Sequence, residues 1–211
     1  MIRQRSESPD IAIFGHYEEK GGVQRFLANI IKEWTEKGLR VELLSYRNGE
    51  LFYPEELREL VSYIDLGVHN KHLAVFKLWR YLTKAKPKIL LSTFHIDNKI
   101  LSYLSYLPET GTKRFLIVQN NFVKSQRRKH EKLQHKLREV KKLYPRNDGI
   151  ITASEGIRDD FEKKLGIHDV PLHVIWNGAI TQQTFERSRE SVEHPWLQET
   201  HRVPVVISVG G

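Results

Sequence analysis

Short apolar runs alternate with helix-length amphipathic segments along nearly the whole chain, and this alternation is what most restricts the fold. Most of the runs are continuous in apolar residues, which is typical of strands that are covered on both faces. Strands that alternate with helices build a parallel sheet between two helical layers. The sequence therefore predicts an α/β fold, a Rossmann-like doubly wound parallel sheet.

The predicted elements follow from the periodicity of the apolar residues and from glycines and prolines that stop helices. Strands are predicted at residues 11–15, 41–46, 61–66, 89–94, 114–119, 149–153, 172–176 and 203–209. Helices are predicted after Gly22, over 73–82, from about 98 to 107, over 125–143 and over 155–165. In such sheets ligands bind beyond the carboxyl ends of the strands, so residues directly after each strand are the first candidates for a site.

The domain organisation follows from changes in composition. Residues 1–10 are interpreted as an N-terminal tail, 11–180 as one domain, and the polar segment 181–202 as an interdomain linker. Gly210 and Gly211 follow the last apolar run, and such a pair usually opens a turn into a helix. This favours 203–211 as the first strand of a truncated second domain. The alternative is an edge strand that closes the first sheet.

Composition excludes several classes of protein. The chain has 211 residues, no cysteine, a net charge of +8 and a mean hydropathy of −0.49. Without cysteine, disulfides, thiol nucleophiles and Cys-ligated metal sites are excluded. No apolar run approaches the roughly 20 residues that span a bilayer, and the N-terminus lacks the apolar core of a signal peptide. We therefore expect a cytoplasmic protein.

The positive charge is concentrated in one predicted helix. Residues 124–142 contain nine Lys or Arg and two Glu, which is seven of the net eight positive charges. A thin apolar stripe with a broad basic face suits anionic lipid headgroups or another anionic partner. The candidate contacts are Arg127, Arg128, Lys129, Lys132 and Lys136. A solvated helix face is the alternative, and no stacking strand or nucleic-acid motif favours binding of nucleic acid.

Gly21 and Gly22 lie between the first predicted strand and the first predicted helix. Adjacent glycines at a helix N-terminus let backbone N–H groups approach an anion, and the helix dipole favours negative charge there. A diphosphate suits this position. The glycine spacing matches neither the dinucleotide fingerprint nor a P-loop, so a simple turn is the alternative.

Several segments, in order along the chain, resemble family 4 of the retaining glycosyltransferases. Residues 21–43, from Gly-Gly-Val-Gln-Arg to Val-Glu-Leu, resemble that family's Gly-Gly-x-Glu-Arg helix and the strand after it. Residues 144–161, with Thr-Ala-Ser-Glu-Gly, and 174–179, with Ile-Trp-Asn-Gly, resemble two later motifs of the family. Residues 194–197 and 205–210 resemble its interdomain stretch. The resemblance covers about 11–211.

The resemblance implies the GT-B architecture, in which two Rossmann-like domains face each other across a cleft without an obligatory metal or other cofactor. It implies a hexosyltransferase of polysaccharide biosynthesis that moves a sugar, with retention, from a nucleotide sugar to a glycan or lipid-linked acceptor. This chain corresponds to the acceptor-side domain and is expected to be inactive alone. The alternative is a non-catalytic α/β module that docks on an anionic membrane or partner through its basic helix. In both cases the inner face of the membrane is a candidate location.

The resemblance also assigns the glycine motif. Gly21, Gly22 and Arg25 correspond to the residues at the donor diphosphate. Gln24 stands where the family has glutamate, which excludes a role that requires a carboxylate at this position.

Further candidates follow the fourth and fifth predicted strands. His95 is a catalytic candidate, as a hydrogen-bond partner or charge stabiliser, although a surface role at the strand end is the alternative. Asn98 is expected to face the acceptor. Gln119, Asn120 and Asn121 lie where the family often has a histidine near the reacting sugar, and Asn120 would replace it as the second catalytic candidate. Gln119 and Asn121 are expected to bind the acceptor. An amide orients hydroxyls but does not titrate, which disfavours acid/base chemistry here.

Overall fold

The computed structural model describes residues 8–15, 17, 21–46, 54–120, 130–178, 180–191, 193–197 and 204–206. Two compact units divide the chain, Met1–Gly178 and Ala179–Gly211. The first unit contains a sheet, and the second contains short helical segments.

Seven parallel strands form the sheet of the first unit in the described part of the chain. They are β1 (Ile11–Gly15), β2 (Val41–Ser45), β3 (Ser62–Asp65), β4 (Ile89–Ser92), β5 (Lys113–Val118), β6 (Gly149–Thr152) and β7 (Leu172–Val174). Their order is β3-β2-β1-β4-β5-β6-β7, so the direction of winding reverses between β1 and β4. The predicted doubly wound α/β fold is confirmed.

The described helices are α1 (Gly22–Glu36), α2 (Pro54–Leu57), α3 (Lys71–Ala85), α4 (His95–Tyr103), α5 (His130–Leu143), α6 (Glu155–Asp159) and α7 (Gln182–Arg187). Three-residue 3-10 turns follow at Leu104–Tyr106, Tyr144–Arg146 and Pro195–Leu197. A π-helical turn, Asp160–Lys164, continues α6.

Side chains that alternate along the strands form a core on each face of the sheet. On one face, Ala12 and Phe14 of β1 belong to the core formed with α3, α4, α5 and α6. On the other face, Ile11 and Ile13 pack with α1 and α2. The strands are therefore covered on both faces around β1, which is why their sequences read as continuous apolar runs.

Helix α4 begins three residues earlier than predicted. Phe94 is its N-cap, in extended geometry, and the Asn98 N–H donates to the Phe94 carbonyl at 2.7 Å. The sequence has no helix-start signal at this position, because phenylalanine has no side-chain oxygen to cap a helix. His95 therefore lies in the first turn of the helix and not at a strand end before it, and Asn98, the predicted first residue, lies one turn into the helix.

The last predicted helix of the domain changes its hydrogen-bond pattern part-way. After α6 the Leu165 N–H donates to the Asp160 carbonyl, five residues back, which is the π pattern. Gly166 follows with φ of 64°, a left-handed conformation that stops the helix as predicted.

Two structural features lie in the segments that the sequence assigns to a tail and to a linker. The final residue of the predicted tail, Asp10, is ordered: its carboxylate lies 2.8 Å from Lys88 Nζ and accepts from the Arg40 N–H at 3.0 Å. These contacts lower the pKa of Asp10 to about 2. In the second unit, the predicted linker contains α7, which begins with a capping box between Thr181 and Thr184.

The predicted eighth strand is not seen in its described part, since residues 204–206 form no strand. A strand requires a paired neighbour, which the apolar pattern of a single segment does not supply. Residues 203 and 207–211 lie outside the described residues. The domain boundaries at 11–180, 181–202 and 203–211 stay predictions.

Candidate functional site

The candidate site lies at the carboxyl ends of β1, β4 and β5, where the winding of the sheet reverses. Helices on either side of such a reversal leave the sheet in opposite directions, and a crevice opens between them. Helix α1 follows β1, and α4 follows β4, so the N-termini of both helices lie at this edge. All of the site residues described below belong to the first unit.

The N-terminus of α1 carries the two glycines that the sequence singles out. Its N-cap residue is Gly21, in extended geometry, and among the described residues no side chain caps this helix end. A Cβ atom built on Gly22 would have no heavy atom within 4 Å. A Cβ on Gly21 would lie 2.9 Å from Oε1 of the buried Gln24. Within the described residues, therefore, nothing covers Gly22 at the start of α1, and the diphosphate at this helix end stays a prediction.

Arg25 makes an ion pair within the fold. Its Nη1 donates to both carboxylate oxygens of Glu56 in α2, at 3.0 and 2.8 Å. Both side chains are almost half exposed. This pair ties α1 to α2, and the role of Arg25 at a diphosphate stays a prediction.

A buried carboxylate lies beside the end of β1. Asp97 is fully buried in the first turn of α4, where the helix dipole favours negative charge. A Cβ on Gly15 would lie 3.2 Å from Oδ2 of Asp97, so glycine at the end of β1 lets this carboxylate come close. Burial, and to a lesser extent the charge of Asp97, raises the pKa of Tyr17 well above its usual range.

His95 is a neutral hydrogen-bonding group. Its Nδ1 lies 3.0 Å from the hydroxyl of the buried Tyr144. Burial, and then the positive charges of Lys136, Lys99 and Lys71, lower the pKa of His95 to about 4, against an opposing effect of the Glu139 charge. The imidazole is therefore uncharged near neutral pH. Of the two roles predicted for His95, this favours the hydrogen-bond partner over the charge stabiliser.

Asn98 holds two strands together. Its Oδ1 accepts from the Ser92 hydroxyl of β4 at 2.6 Å, and its Nδ2 donates to the Ile117 carbonyl of β5 at 3.1 Å. The residue is 1% exposed. Its amide therefore links the ends of β4 and β5, and contact with an acceptor stays a prediction.

A small cavity of about 80 Å³ brings several of the predicted site residues together. It is lined by Val23, Thr93, Phe94, His95, Asn98, Ile117, Val118, Gln119 and Asn120. His95, Asn98, Gln119 and Asn120 thus lie around one space, and Val23 connects that space to the first turn of α1. Asn121 lies outside the described residues.

Thr93 is the lining residue that sequence reasoning missed. It follows β4 directly, is 6% exposed and is among the residues that line the cavity. Its position after a strand was a usable signal, but threonine at a strand end is also common in ordinary packing.

The predicted basic surface is only partly described. Arg127, Arg128 and Lys129 lie outside the described residues, as does the Lys132 side chain, although Lys132 itself is in α5. Lys136 is half-buried, and its charge acts on His95. Its contact with an anionic surface stays a prediction.

No group of three or more His, Asp or Glu side chains among the described residues could hold a metal ion. No helix in the described part of the chain combines the length and the apolar character needed to cross a membrane.

The model of Glycosyltransferase Family 4 matches residues 20–183, more than half of the chain. The chain belongs to glycosyltransferase family 4. The match begins just before the glycines at the N-terminus of α1 and includes every residue that lines the cavity.

Solved structures share the fold of this family 4 chain. The lipopolysaccharide outer core galactosyltransferase WaaB, in its apo form, has a TM-score of 0.61 at 15% identity, over 79% of this chain and 45% of that one. Anabaena HepE, in complex with UDP and glucose, has a TM-score of 0.62 at 15% identity, over 81% and 44%. Sucrose-phosphate synthase from Thermosynechococcus elongatus has a TM-score of 0.61 at 11% identity, over 79% and 47%.

The family 4 chain spans less than half the length that these three structures have. A comparison with curated protein sequences gives no match. The family and the fold are therefore established, and the activity of the whole protein is a matter for proposal.

The two asparagines of the site are expected to respond differently to substitution. Asn98→Ala leaves the Ser92 hydroxyl and the Ile117 carbonyl without their buried partner, and we expect the free energy of unfolding to fall by about 2 kcal/mol. Asn120→Ala, at an exposed cavity residue, is expected to change it by less than about 0.5 kcal/mol. Urea unfolding of both variants measures the difference. Equal losses of unfolding free energy would show that the hydrogen bonds from Asn98 to β4 and β5 do not stabilise the fold.

The neutral burial of His95 makes stability depend on pH. The unfolded chain protonates His95 near pH 6.5, whereas the folded protein resists protonation down to about pH 4. The stability that depends on the neutral ring is therefore complete above pH 6.5 and is lost as the pH falls towards 4. We expect this loss to be on the order of 1 kcal/mol, since the ring is only partly buried.

Thermal unfolding between pH 4 and 7 measures this effect. His95→Gln, which has no titrating ring, is expected to lose less stability than the native chain over this window. His168→Gln changes an exposed histidine away from His95 and is the control, expected to keep the native pH slope. A slope that His95→Gln leaves unchanged would show that His95 does not contribute.

Proposed function

We propose that the protein is a hexosyltransferase that moves a sugar, with retention, from a nucleotide sugar to a glycan or lipid-linked acceptor, in polysaccharide biosynthesis. The observation that carries the proposal is the N-terminus of α1, which no described side chain caps, beside a cavity at the reversal of the sheet that polar residues line in part. Membership of family 4 supports it. So do the structural neighbours, among them a galactosyltransferase and complexes of HepE with UDP and with UDP-glucose.

The two parts of the site suit two parts of such a reaction. The first N–H groups of α1 and the positive end of its dipole would stabilise the diphosphate as it leaves the sugar. The neutral cavity would receive hydroxyl-bearing rings, with His95 and Asn120 as the groups beside the reacting atoms. Neither group titrates near neutral pH, so transfer would depend on positioning and on stabilisation of the leaving group.

This chain would supply the acceptor side, and a second Rossmann-like domain would hold most of the nucleotide sugar. We therefore propose that the 211-residue chain alone does not turn over. No metal ion or other cofactor has a step in this mechanism. Arg25 would reach the diphosphate only by leaving its pair with Glu56, which makes it a secondary contact.

Substitution of Gly22 tests the diphosphate role. The space around Gly22 is open, so Gly22→Val is expected to change the free energy of unfolding by less than about 1 kcal/mol. The valine side chain would occupy the approach to the N–H groups of α1, and transfer by the full-length protein is expected to fall at least tenfold. Product formation from UDP-hexoses, with NMR of the new anomeric centre, measures both transfer and retention.

The matched control is Gly156→Ala, which adds a side chain to the second residue of α6 at a site with no atom closer than 4.0 Å. It is expected to leave transfer unchanged. Full activity of Gly22→Val would show that the diphosphate does not bind at this helix end. Inversion at the new anomeric centre would overturn the retaining mechanism.

The second candidate is a non-catalytic module that docks on an anionic membrane at the cytoplasmic face. The basic composition of 124–142 favours it, with nine Lys or Arg against two Glu. Such a surface could also bring a glycosyltransferase to a lipid-linked acceptor. Membrane binding alone therefore does not separate the two candidates, and sugar transfer has to be measured as well.

Vesicle sedimentation tests the basic surface. We expect the chain to pellet with vesicles that contain phosphatidylglycerol and not with pure phosphatidylcholine, because the attraction is to anionic headgroups. The triple variant with Arg127→Glu, Arg128→Glu and Lys129→Glu is expected to lose at least half of this binding. Lys32→Glu, Lys37→Glu and Lys84→Glu together make the same change in net charge elsewhere and serve as the control. Equal losses in the two triple variants would mean that only net charge matters.

A further inference from the structure

Tyr144 is a buried neighbour of His95 that the sequence does not single out. It begins the 3-10 turn after α5 and is 1% exposed. Its ring stacks on Phe161, with the ring centroids 6.1 Å apart, and its hydroxyl lies 3.0 Å from Nδ1 of His95. The packing therefore holds this hydroxyl against one particular nitrogen of the imidazole.

The direction of this hydrogen bond decides which nitrogen of His95 carries the proton. The ring is neutral near pH 7, and a neutral imidazole has one N–H and one lone pair. If the Tyr144 hydroxyl donates, Nδ1 is the acceptor and the proton is on Nε2. If Nδ1 donates instead, the hydroxyl proton needs another acceptor, because Tyr144 is buried.

The neighbouring amide of Asn98 has a fixed orientation. Its Nδ2 lies 3.1 Å from the Ile117 carbonyl, which can only accept, so this atom is the amide nitrogen. Its Oδ1 accepts from the Ser92 hydroxyl at 2.6 Å. Burial raises the pKa of Tyr144 well above its usual range, and the Asn98 side chain acts in the opposite direction, as an N–H that donates to the phenol oxygen does. Asn98 therefore presents a donor to Tyr144 and not an acceptor.

The Tyr144 hydroxyl is left with His95 as its acceptor. The phenol keeps its proton, since its pKa is raised. Among the described residues, Nδ1 of His95 is the one group within hydrogen-bond distance that can accept this proton. The reverse arrangement would bury an O–H without an acceptor, which is unfavourable. The hydrogen bonds therefore run in one direction, from the Asn98 amide to the Tyr144 oxygen and from the Tyr144 hydroxyl to Nδ1.

We propose that Tyr144 is a positioning residue that holds His95 in the tautomer with its proton on Nε2. The hydrogen bond that one ring nitrogen makes sets the protonation of the other. The Tyr144 hydroxyl occupies the lone pair of Nδ1, and Nε2 has an N–H and no lone pair. The ring can therefore donate a hydrogen bond to an oxygen atom, but it cannot take a proton from a hydroxyl group. In the proposed function, on which this last step rests, His95 is a hydrogen-bond donor and not a general base.

NMR of the 211-residue chain with ¹⁵N-labelled histidine tests the tautomer directly. Long-range ¹H–¹⁵N correlation near neutral pH shows which nitrogen of each ring carries the proton. The chain has ten histidines, so the spectrum of His95→Gln is used to assign the signals of His95. Tyr144→Phe removes the hydroxyl and keeps the ring. Tyr81→Phe is the matched control, because Tyr81 is also a buried phenol, which donates to the Glu42 carboxylate at 2.6 Å.

The native spectrum is expected to show the proton of His95 on Nε2 alone. Tyr144→Phe should shift the Nδ1 resonance, since the bond to Nδ1 is lost, and should admit a second population with the proton on Nδ1. Tyr81→Phe should lower stability as Tyr144→Phe does, and should leave both resonances of His95 unchanged. A proton on Nδ1 in the native chain, or an Nδ1 resonance that does not respond to Tyr144→Phe, overturns the inference.

Transfer by the full-length protein tests the use of this tautomer. A glutamine amide places an N–H near the position of Nε2, and an asparagine amide places one near that of Nδ1. We therefore expect His95→Gln to keep a kcat at least threefold above that of His95→Asn. Tyr144→Phe should lower kcat at least threefold, and Tyr81→Phe should leave it unchanged.

Hydrolysis of the nucleotide sugar without acceptor shows which oxygen the ring serves. If Tyr144→Phe slows this hydrolysis, the oxygen belongs to the donor, and if it slows transfer alone, the oxygen belongs to the acceptor. Equal kcat values of the glutamine and asparagine variants overturn the donor role of His95. Absence of transfer from any nucleotide sugar, together with the expected NMR result, overturns the proposed function and leaves the role of Tyr144 in place.

Discussion

The pairing of β1 with β4 is the constraint on which the rest of the structure depends. β1 also pairs with β2, so the chain winds outward from β1 in both directions. Both faces of the central strands must then be covered, and the helices that follow β1 and β4 diverge. The crevice between their N-termini is a consequence of this topology. Ala12 and Ile13 are both fully buried, on opposite faces, because β1 has no edge.

Local side chains convert this crevice into a site of defined chemistry. Asn98 fixes the distance between the ends of β4 and β5, and Tyr144 fixes the ring of His95. Glycine at position 15 admits the buried Asp97, and glycine at position 22 leaves the helix end open. The paired groups are thus structural, and the open ones are where a ligand can act. Removal of a paired group should cost stability, whereas removal of an open one should cost binding.

The sequence predicted the seven strands because burial on both faces makes them continuous and apolar, and Gly166 marked a helix end correctly. It also predicted that Gly21, Gly22, His95 and Gln119 lie at one edge of a sheet. It missed the start of α4, since Phe94 offers no capping oxygen, and it missed α7, whose capping box lies in a polar segment. Thr93 could not be singled out, because its burial at the cavity is a property of three-dimensional packing.

The distribution of charge around His95 has a further consequence. Lys71, Lys99 and Lys136 come from three helices that are far apart in sequence, yet each lowers the pKa of the same imidazole. Lys99 is neutralised by its pair with Glu139 in α5. Lys136 has the largest electrostatic effect on the ring, and Lys71 adds a smaller one. The charge of Glu139 opposes both, and burial of the ring remains the largest cause of the lowered pKa. The neutral state of His95 is therefore a property of how α3, α4 and α5 pack around one ring, and no single segment of the sequence predicts it.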